Sequence, residues 1–206
     1  MRVKICAITN LDDALAACDA GADALGFNFA IEAKRKNRFI EPEAARRIVE
    51  ALPPFITTVA ICVNDPAARI MEYLQFVDTV QLHGEETPAQ CAAIGGRAIK
   101  AFRAGGDFQP ESMLAYPTSA YLLDAQVAGA RGGTGTVGDW DMARAAVALE
   151  RPIILAGGLT PENVAEAVKY VRPYGVDTAG GVESAPGIKD HERTRDFIRN
   201  AKAAIS

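Results

Sequence analysis

Short apolar runs alternate about eight times with amphipathic segments along this chain, in step from one end to the other. The apolar runs predict strands over Val3–Ile8, Ala24–Phe29, Thr58–Val63, Thr79–His83, Ala98–Phe102, Tyr121–Asp124, Ile153–Ala156 and Val176–Thr178. They are apolar nearly throughout, the pattern of strands covered on both faces of a parallel sheet. Helical periodicity predicts amphipathic helices over Asp12–Ala20, Pro42–Ala51, Ala67–Phe76, Pro88–Ile94, Pro110–Leu114, Asp141–Leu149, Pro161–Val171 and Asp190–Ala204, the fifth of them short. Several boundaries carry a physical signal. Thr160 stands where its side chain can cap a helix, and Pro161 fits a first turn because its missing N–H would be unpaired there. Thr87-Pro88 and Glu41-Pro42 repeat the arrangement, and Gly21 marks a stop before the second strand. Strand–helix units repeated about eight times within 206 residues predict a single (β/α)8 TIM barrel over residues 1–206, with no second domain and no linker. The alternative, an open doubly wound sheet, usually has about five or six strands, and no G-x-G-x-x-G follows the first strand here.

Composition narrows the function classes. With 49% hydrophobic residues the chain can bury a full core, and a net charge of −4 leaves no electrostatic footprint for nucleic acid. The nearest basic cluster is Lys34-Arg35-Lys36-Asn37-Arg38, within one loop. No run approaches the ~18 apolar residues of a membrane span, and no signal-peptide layout opens the chain. Cys6, Cys18, Cys62 and Cys91 are scattered, which suggests neither a zinc site nor a disulfide framework. His83 and His191 are too few and too far apart for a metal cluster. A reducing cytoplasm is the expected setting, and a monomer and a homodimer both remain open.

In a barrel of this kind the chemistry sits at the C-terminal ends of the strands. There the first strand offers Cys6 and the sixth Asp124, a thiol and a carboxyl expected on one rim as a base and an acid. The second strand offers Asn28, the fourth Gln81 and His83, and the fifth Lys100 and Arg103. Glycine pairs follow the last two strands: Gly157-Gly158 and Gly180-Gly181. Loops at those positions commonly hold phosphate, because backbone N–H groups can reach the anion only where no Cβ intervenes. A third glycine-rich stretch, Gly129–Gly135, is a candidate lid.

Lys4-Ile5-Cys6-Ala7-Ile8-Thr9-Asn10, Gly21–Phe27, Val80–Glu85, Leu122–Asp124, Gly132–Gly135, Asp139-Trp140, Gly157–Val164, Gly181–Glu183 and Pro186–Asp190 follow one another in that order. On these blocks the chain resembles the phosphoribosylanthranilate isomerase family of tryptophan biosynthesis over nearly its whole length. The resemblance implies an Amadori rearrangement of N-(5′-phosphoribosyl)anthranilate, with Cys6 as general base, Asp124 as general acid and no metal or cofactor. It also implies that Arg38 pairs with the anthranilate carboxylate, that Gly157, Gly158, Gly180 and Gly181 hold the phosphate, and that Gln81 and His83 line the substrate site.

The chain departs from the family pattern in places. Ala7 stands where glycine is usual, and Ala156, Ala179 and Gly180 where serines are frequent. Each missing hydroxyl would be worth about 1.5–3 kcal/mol to a charged group. Gly138 replaces an aromatic, Ala60-Ile61-Cys62 replaces a Gly-Val-Phe-like strand end, and the Ala30–Lys36 segment is longer than usual. Two rival readings follow. One is a barrel isomerase retuned to another phosphorylated (amino)sugar. The other is a phosphate-ligand-binding barrel without catalysis, against which the retained thiol and carboxyl argue.

Overall fold

The computed structural model describes residues 1–105, 107–125 and 137–204. Eight parallel strands close into a barrel in chain order: β1 (Arg2–Ile5), β2 (Ala24–Asn28), β3 (Thr57–Cys62), β4 (Thr79–Leu82), β5 (Ala98–Arg103), β6 (Ala120–Asp124), β7 (Ile153–Ala156) and β8 (Gly175–Thr178). β8 pairs back onto β1, with Val3 opposite Val176 and Lys4 opposite Asp177. Around the barrel lie α1 (Leu11–Asp19), α2 (Pro42–Glu50), α3 (Ala67–Tyr73), α4 (Pro88–Ile94), α5 (Val137–Val147), α6 (Val164–Val171) and α7 (His191–Ala203). A short antiparallel hairpin, β9 (Glu183–Ala185) and β10 (Ile188–Lys189), follows β8 and was not foreseen from the sequence.

The fifth predicted helix is instead a 3₁₀ segment, Pro110–Ala115. Six residues that open on Pro110, with Pro117 two residues beyond their end, leave too few i→i−4 bonds for an α-helix, so the tighter turn is taken. α6 starts later than predicted. The Thr160 hydroxyl does accept the Glu162 N–H, at 3.3 Å, but Asn163 Oδ1 accepts the Thr160 N–H at 2.8 Å, and this turn precedes the helix. The Thr87 start is the fullest cap: its hydroxyl accepts the Gln90 N–H and Gln90 Oε1 accepts the Thr87 N–H.

The barrel buries two apolar layers, which is why the strands read as unbroken apolar runs. One set of strand side chains, including Val3, Ile5, Val80, Leu82 and Leu123, packs outward against helix residues such as Ala14, Ala167 and Phe197. The alternate set, Ile99, Ala101, Ala120, Leu122, Ile154 and Ala156, fills the lumen. Each fully buried Leu, Ile or Phe contributes about 1.5–3 kcal/mol, so both faces of the sheet favour closure. Side chains alternate along a strand, so these assignments fix the direction of every neighbour. Lys4, Gln81, Asp124 and Asp177 point inward with the lumen set, as their register partners require.

Candidate active site

Cys6 follows the last residue of β1 and keeps its direction, because its N–H still donates to Thr178 O at 2.8 Å. Ala7 then turns the chain through a left-handed conformation, φ 60°, and the Ile8 N–H bonds Gly26 O at 2.9 Å. Gly26 makes room for the thiol: a Cβ there would lie 2.9 Å from Cys6 Sγ and 3.2 Å from Cys6 Cα. Sequence reasoning passed over Gly26, although an isolated glycine inside a strand is a signal of close approach. Beneath Cys6, Lys4 Nζ donates to Asp177 Oδ1 at 2.8 Å, with both side chains almost fully buried. Burial pushes the Cys6 thiol up, Lys4 and Lys189 pull it down and Asp177 opposes them, leaving it above the ordinary thiol range.

Asp124 ends β6, flanked in register by Arg103 of β5 and Ala156 of β7. It therefore reaches the same C-terminal end of the lumen as Cys6. His83 stands nearby. Burial pushes its titration down against the opposing Asp124 carboxylate, and Lys4 adds to the depression, so the ring is neutral at pH 7. Its Nδ1 lies 2.9 Å from Gln81 Nε2; with the amide donating, the ring proton is on Nε2. Gln81 Oε1 is buried and has no hydrogen-bond partner among the described residues. The charge of Lys4 thus acts on both Cys6 and His83, and that of Asp124 acts on His83. These groups share one electrostatic neighbourhood.

Arg38 follows Asn37, which ends the 3₁₀ turn Ile31–Lys36 in a left-handed conformation. Its guanidinium forks onto Glu183, with Nε 2.9 Å from Oε1 and Nη2 2.6 Å from Oε2. Glu183 also accepts from Lys189 Nζ at 3.1 Å, and Lys189 donates to Ala179 O. Desolvation raises the Glu183 titration, but the Arg38 and Lys189 contacts outweigh it and hold the carboxyl below its usual range. The same guanidinium lies against the loop after β8: a Cβ on Gly180 would fall 2.6 Å from Arg38 Nη2. Glu183 and Lys189 were not picked from the sequence as site residues, because their importance comes from the hairpin that folds them over Arg38.

The glycine loops meet each other. Gly157 and Gly158 both take positive φ, 99° and 66°. A side chain on Gly181 would collide with Leu159 O, the carbonyl that also accepts the Thr178 hydroxyl at 2.7 Å. Among the described residues, the N–H groups of Gly157, Gly158 and Gly180 meet no acceptor. Arg193 at the start of α7 fastens both loops, bonding Glu162 at 2.9 Å and Gly181 O at 3.2 Å.

Other strand-end residues serve the scaffold. Asn28 Oδ1 accepts the Ala30 N–H and shapes the turn after β2. Lys100 faces the helix layer instead of the lumen, where its ammonium is occupied by Glu86 and the carbonyls of Leu82, Gly84 and Ala101. The glycine-rich stretch Gly129–Gly135 lies outside the described residues.

The chain as a whole has counterparts among known proteins. The family model described as N-(5'phosphoribosyl)anthranilate (PRA) isomerase matches residues 3–200. A protein of that name from Pelobacter propionicus is 51% identical over 208 residues, covering 100% of this chain and 98% of its own length. The crystal structure of phosphoribosyl anthranilate isomerase from Thermotoga maritima superposes with a TM-score of 0.87 at 40% identity, covering 98% of this chain and 99% of that one. Another isomerase structure, in complex with reduced 1-(o-carboxyphenylamino)-1-deoxyribulose 5-phosphate, gives a TM-score of 0.84 at 39% identity, with 98% and 99% coverage. Similarity of this extent over nearly the whole chain settles the family: the chain belongs to the N-(5′-phosphoribosyl)anthranilate isomerases.

Proposed function

We propose that this isomerase opens N-(5′-phosphoribosyl)anthranilate to 1-(2-carboxyphenylamino)-1-deoxyribulose 5-phosphate, with Asp124 as general acid and Cys6 as general base. The observation that carries this reading is positional. Cys6 and Asp124, far apart in sequence, both end lumen-facing rows at the C-terminal rim, where the two glycine loops also lie. Protonated Asp124 gives its proton to the furanose ring oxygen as the C1′–O bond breaks, leaving an iminium between C1′ and the anthranilate nitrogen. The iminium acidifies the C2′ proton, which the Cys6 thiolate takes. The C2′–H electron pair moves into the iminium, so the substrate's own nitrogen is the electron sink. The resulting enol takes a proton at C1′, releases its hydroxyl proton and becomes the ketone.

The remaining site residues divide the substrate between them. The N–H groups of Gly157, Gly158 and Gly180 take the phosphate, a role supported by their lack of an acceptor among the described residues, with Gly181 keeping the two loops in contact. Arg38 takes the anthranilate carboxylate with the guanidinium edge that Glu183 leaves open. Gln81 Oε1 and the His83 Nε2–H offer an acceptor and a donor from β4.

The test is turnover of phosphoribosylanthranilate generated in situ, followed by loss of its anthranilate fluorescence. Cys6→Ala and Asp124→Asn should each lower kcat by roughly 10²–10⁴ with little change in KM. A folded wild-type protein without turnover would point to the retuned barrel instead.

The opposite end of the barrel supports a homodimer. A cavity of about 660 Å³ opens there, lined by Thr57, Arg97, Ser119 and Pro152 among others, and Phe55 stands 98% exposed at its edge. A phenylalanine so placed next to a cavity fits reciprocal insertion between two copies. The Thermotoga maritima isomerase is itself described as dimeric.

A further inference from the structure

We infer that Lys4 and Asp177 are positioning residues for the Cys6 thiol: the Lys4 ammonium is the cation beside which a Cys6 thiolate forms, and Asp177 sets how much of that charge the sulfur meets. The inference rests on the reading of Cys6 as the base.

Stability alone does not account for this pair. Replacing a buried ion pair by well-packed apolar residues is often neutral or stabilising, and the lumen already holds an apolar cluster of Ile, Leu and Ala that could extend to it. The protein contains its own comparison. The Lys100–Glu86 pair is equally buried, but its ammonium is surrounded by four oxygens, and Glu86 in turn accepts the N–H groups of Asn64 and Gly84. That lysine is saturated and braces a loop. Lys4 bonds one carboxylate oxygen among the described residues, and it shares the lumen face with Cys6, two residues further along the chain, where its charge pulls the thiol down.

The geometry is rigid. Lys4 and Cys6 are two residues apart on β1 and share the lumen face, while Asp177 is the register partner of Lys4 on β8. The third charged group acting on Cys6 is Lys189 on β10, which Glu183 holds together with Arg38. His83 and Asp124 face the lumen from β4 and β6, and Lys4 and Asp177 act on His83 as well. Asp177 therefore competes with the sulfur for a single ammonium. This arrangement makes opposite predictions for its two members.

The experiment is alkylation of Cys6 by iodoacetamide as a function of pH, read by mass spectrometry on the peptide carrying Cys6. Wild type, Lys4→Met and Asp177→Asn are compared, each rate being taken relative to that variant's own alkaline plateau to remove differences in access. At a fixed pH below the thiol's titration, the relative rate should fall about tenfold in Lys4→Met and rise about tenfold in Asp177→Asn. Shifts in the same direction, or none, would overturn the inference, since a merely structural pair has no reason to move the thiol in opposite senses. If Lys4→Met does not fold, Asp177→Asn decides by itself, an unchanged or slower rate being the contrary result. The pH profile of kcat should move in the same senses. Full turnover by Cys6→Ala would remove the base assignment separately, because the alkylation curves do not depend on it.

Discussion

Ala7 adopts a conformation that suits glycine, and it does so immediately beside the proposed base. Its φ of 60° costs an L-residue about 1–2 kcal/mol, and its methyl is buried at 1% exposure. The turn is needed because the chain must leave β1 at Cys6 and still return the Ile8 N–H to Gly26 O. Ala7→Gly is therefore expected to stabilise the fold by about 1 kcal/mol, less the added flexibility of the unfolded chain, measured as the midpoint of urea unfolding. A loss of stability would show that the methyl's packing outweighs the strain. Across the strand, Gly26 fulfils the complementary need, since any side chain there would press on the Cys6 sulfur.

At the scale of elements, the β9–β10 hairpin carries the part of the site that no strand end supplies. Its tip is pressed onto the Arg38 loop, where a side chain at Gly187 would collide with Asn37 O. Its Glu183 joins Arg38 to Lys189, whose side chain is fully buried. Removing the carboxylate leaves that ammonium without its counter-ion, so Glu183→Gln should cost about 3–5 kcal/mol near neutral pH. The sign of the pH dependence follows from the depressed carboxyl. Its contribution is complete above the ordinary value of 4.5 and disappears as pH falls through its lower folded value. Denaturant titrations of wild type and Glu183→Gln should therefore differ most above that pH and converge in acid. A gap independent of pH would assign the cost to packing.

For the whole molecule, the proposed reading puts chemistry at one end of the barrel and association at the other. Phe55 and the cavity beside it lie at the N-terminal end of the strands, away from Cys6 and Asp124. Phe55→Asp should shift the protein to a monomer in analytical ultracentrifugation while leaving kcat within about twofold. An unchanged mass would place the interface elsewhere. How much of this could be read beforehand depended on whether the signal was local. The apolar runs that give β1 to β8 are local, as are the Thr87 cap and the glycine pairs after β7 and β8, because period, capping and backbone freedom act within a few residues. Cys6 and Asp124 could be proposed because strand ends share one rim in any parallel barrel. The 3₁₀ form of the segment after β5 and the late start of α6 were not read from the period: the first is too short for α-helical bonding, and the Thr160–Asn163 bond decided the second. Lys100 read from its strand end as a candidate, and only its parity with Leu82 showed that it faces the helices. The sequence by itself thus determined the barrel, its rim and the residue types available for acid, base and phosphate. Tertiary structure decided which charges surround the thiol, what occupies Arg38 and which glycines touch, because burial and pairing at this site join residues more than 100 positions apart, as between Lys4 and Asp177 or Arg38 and Glu183.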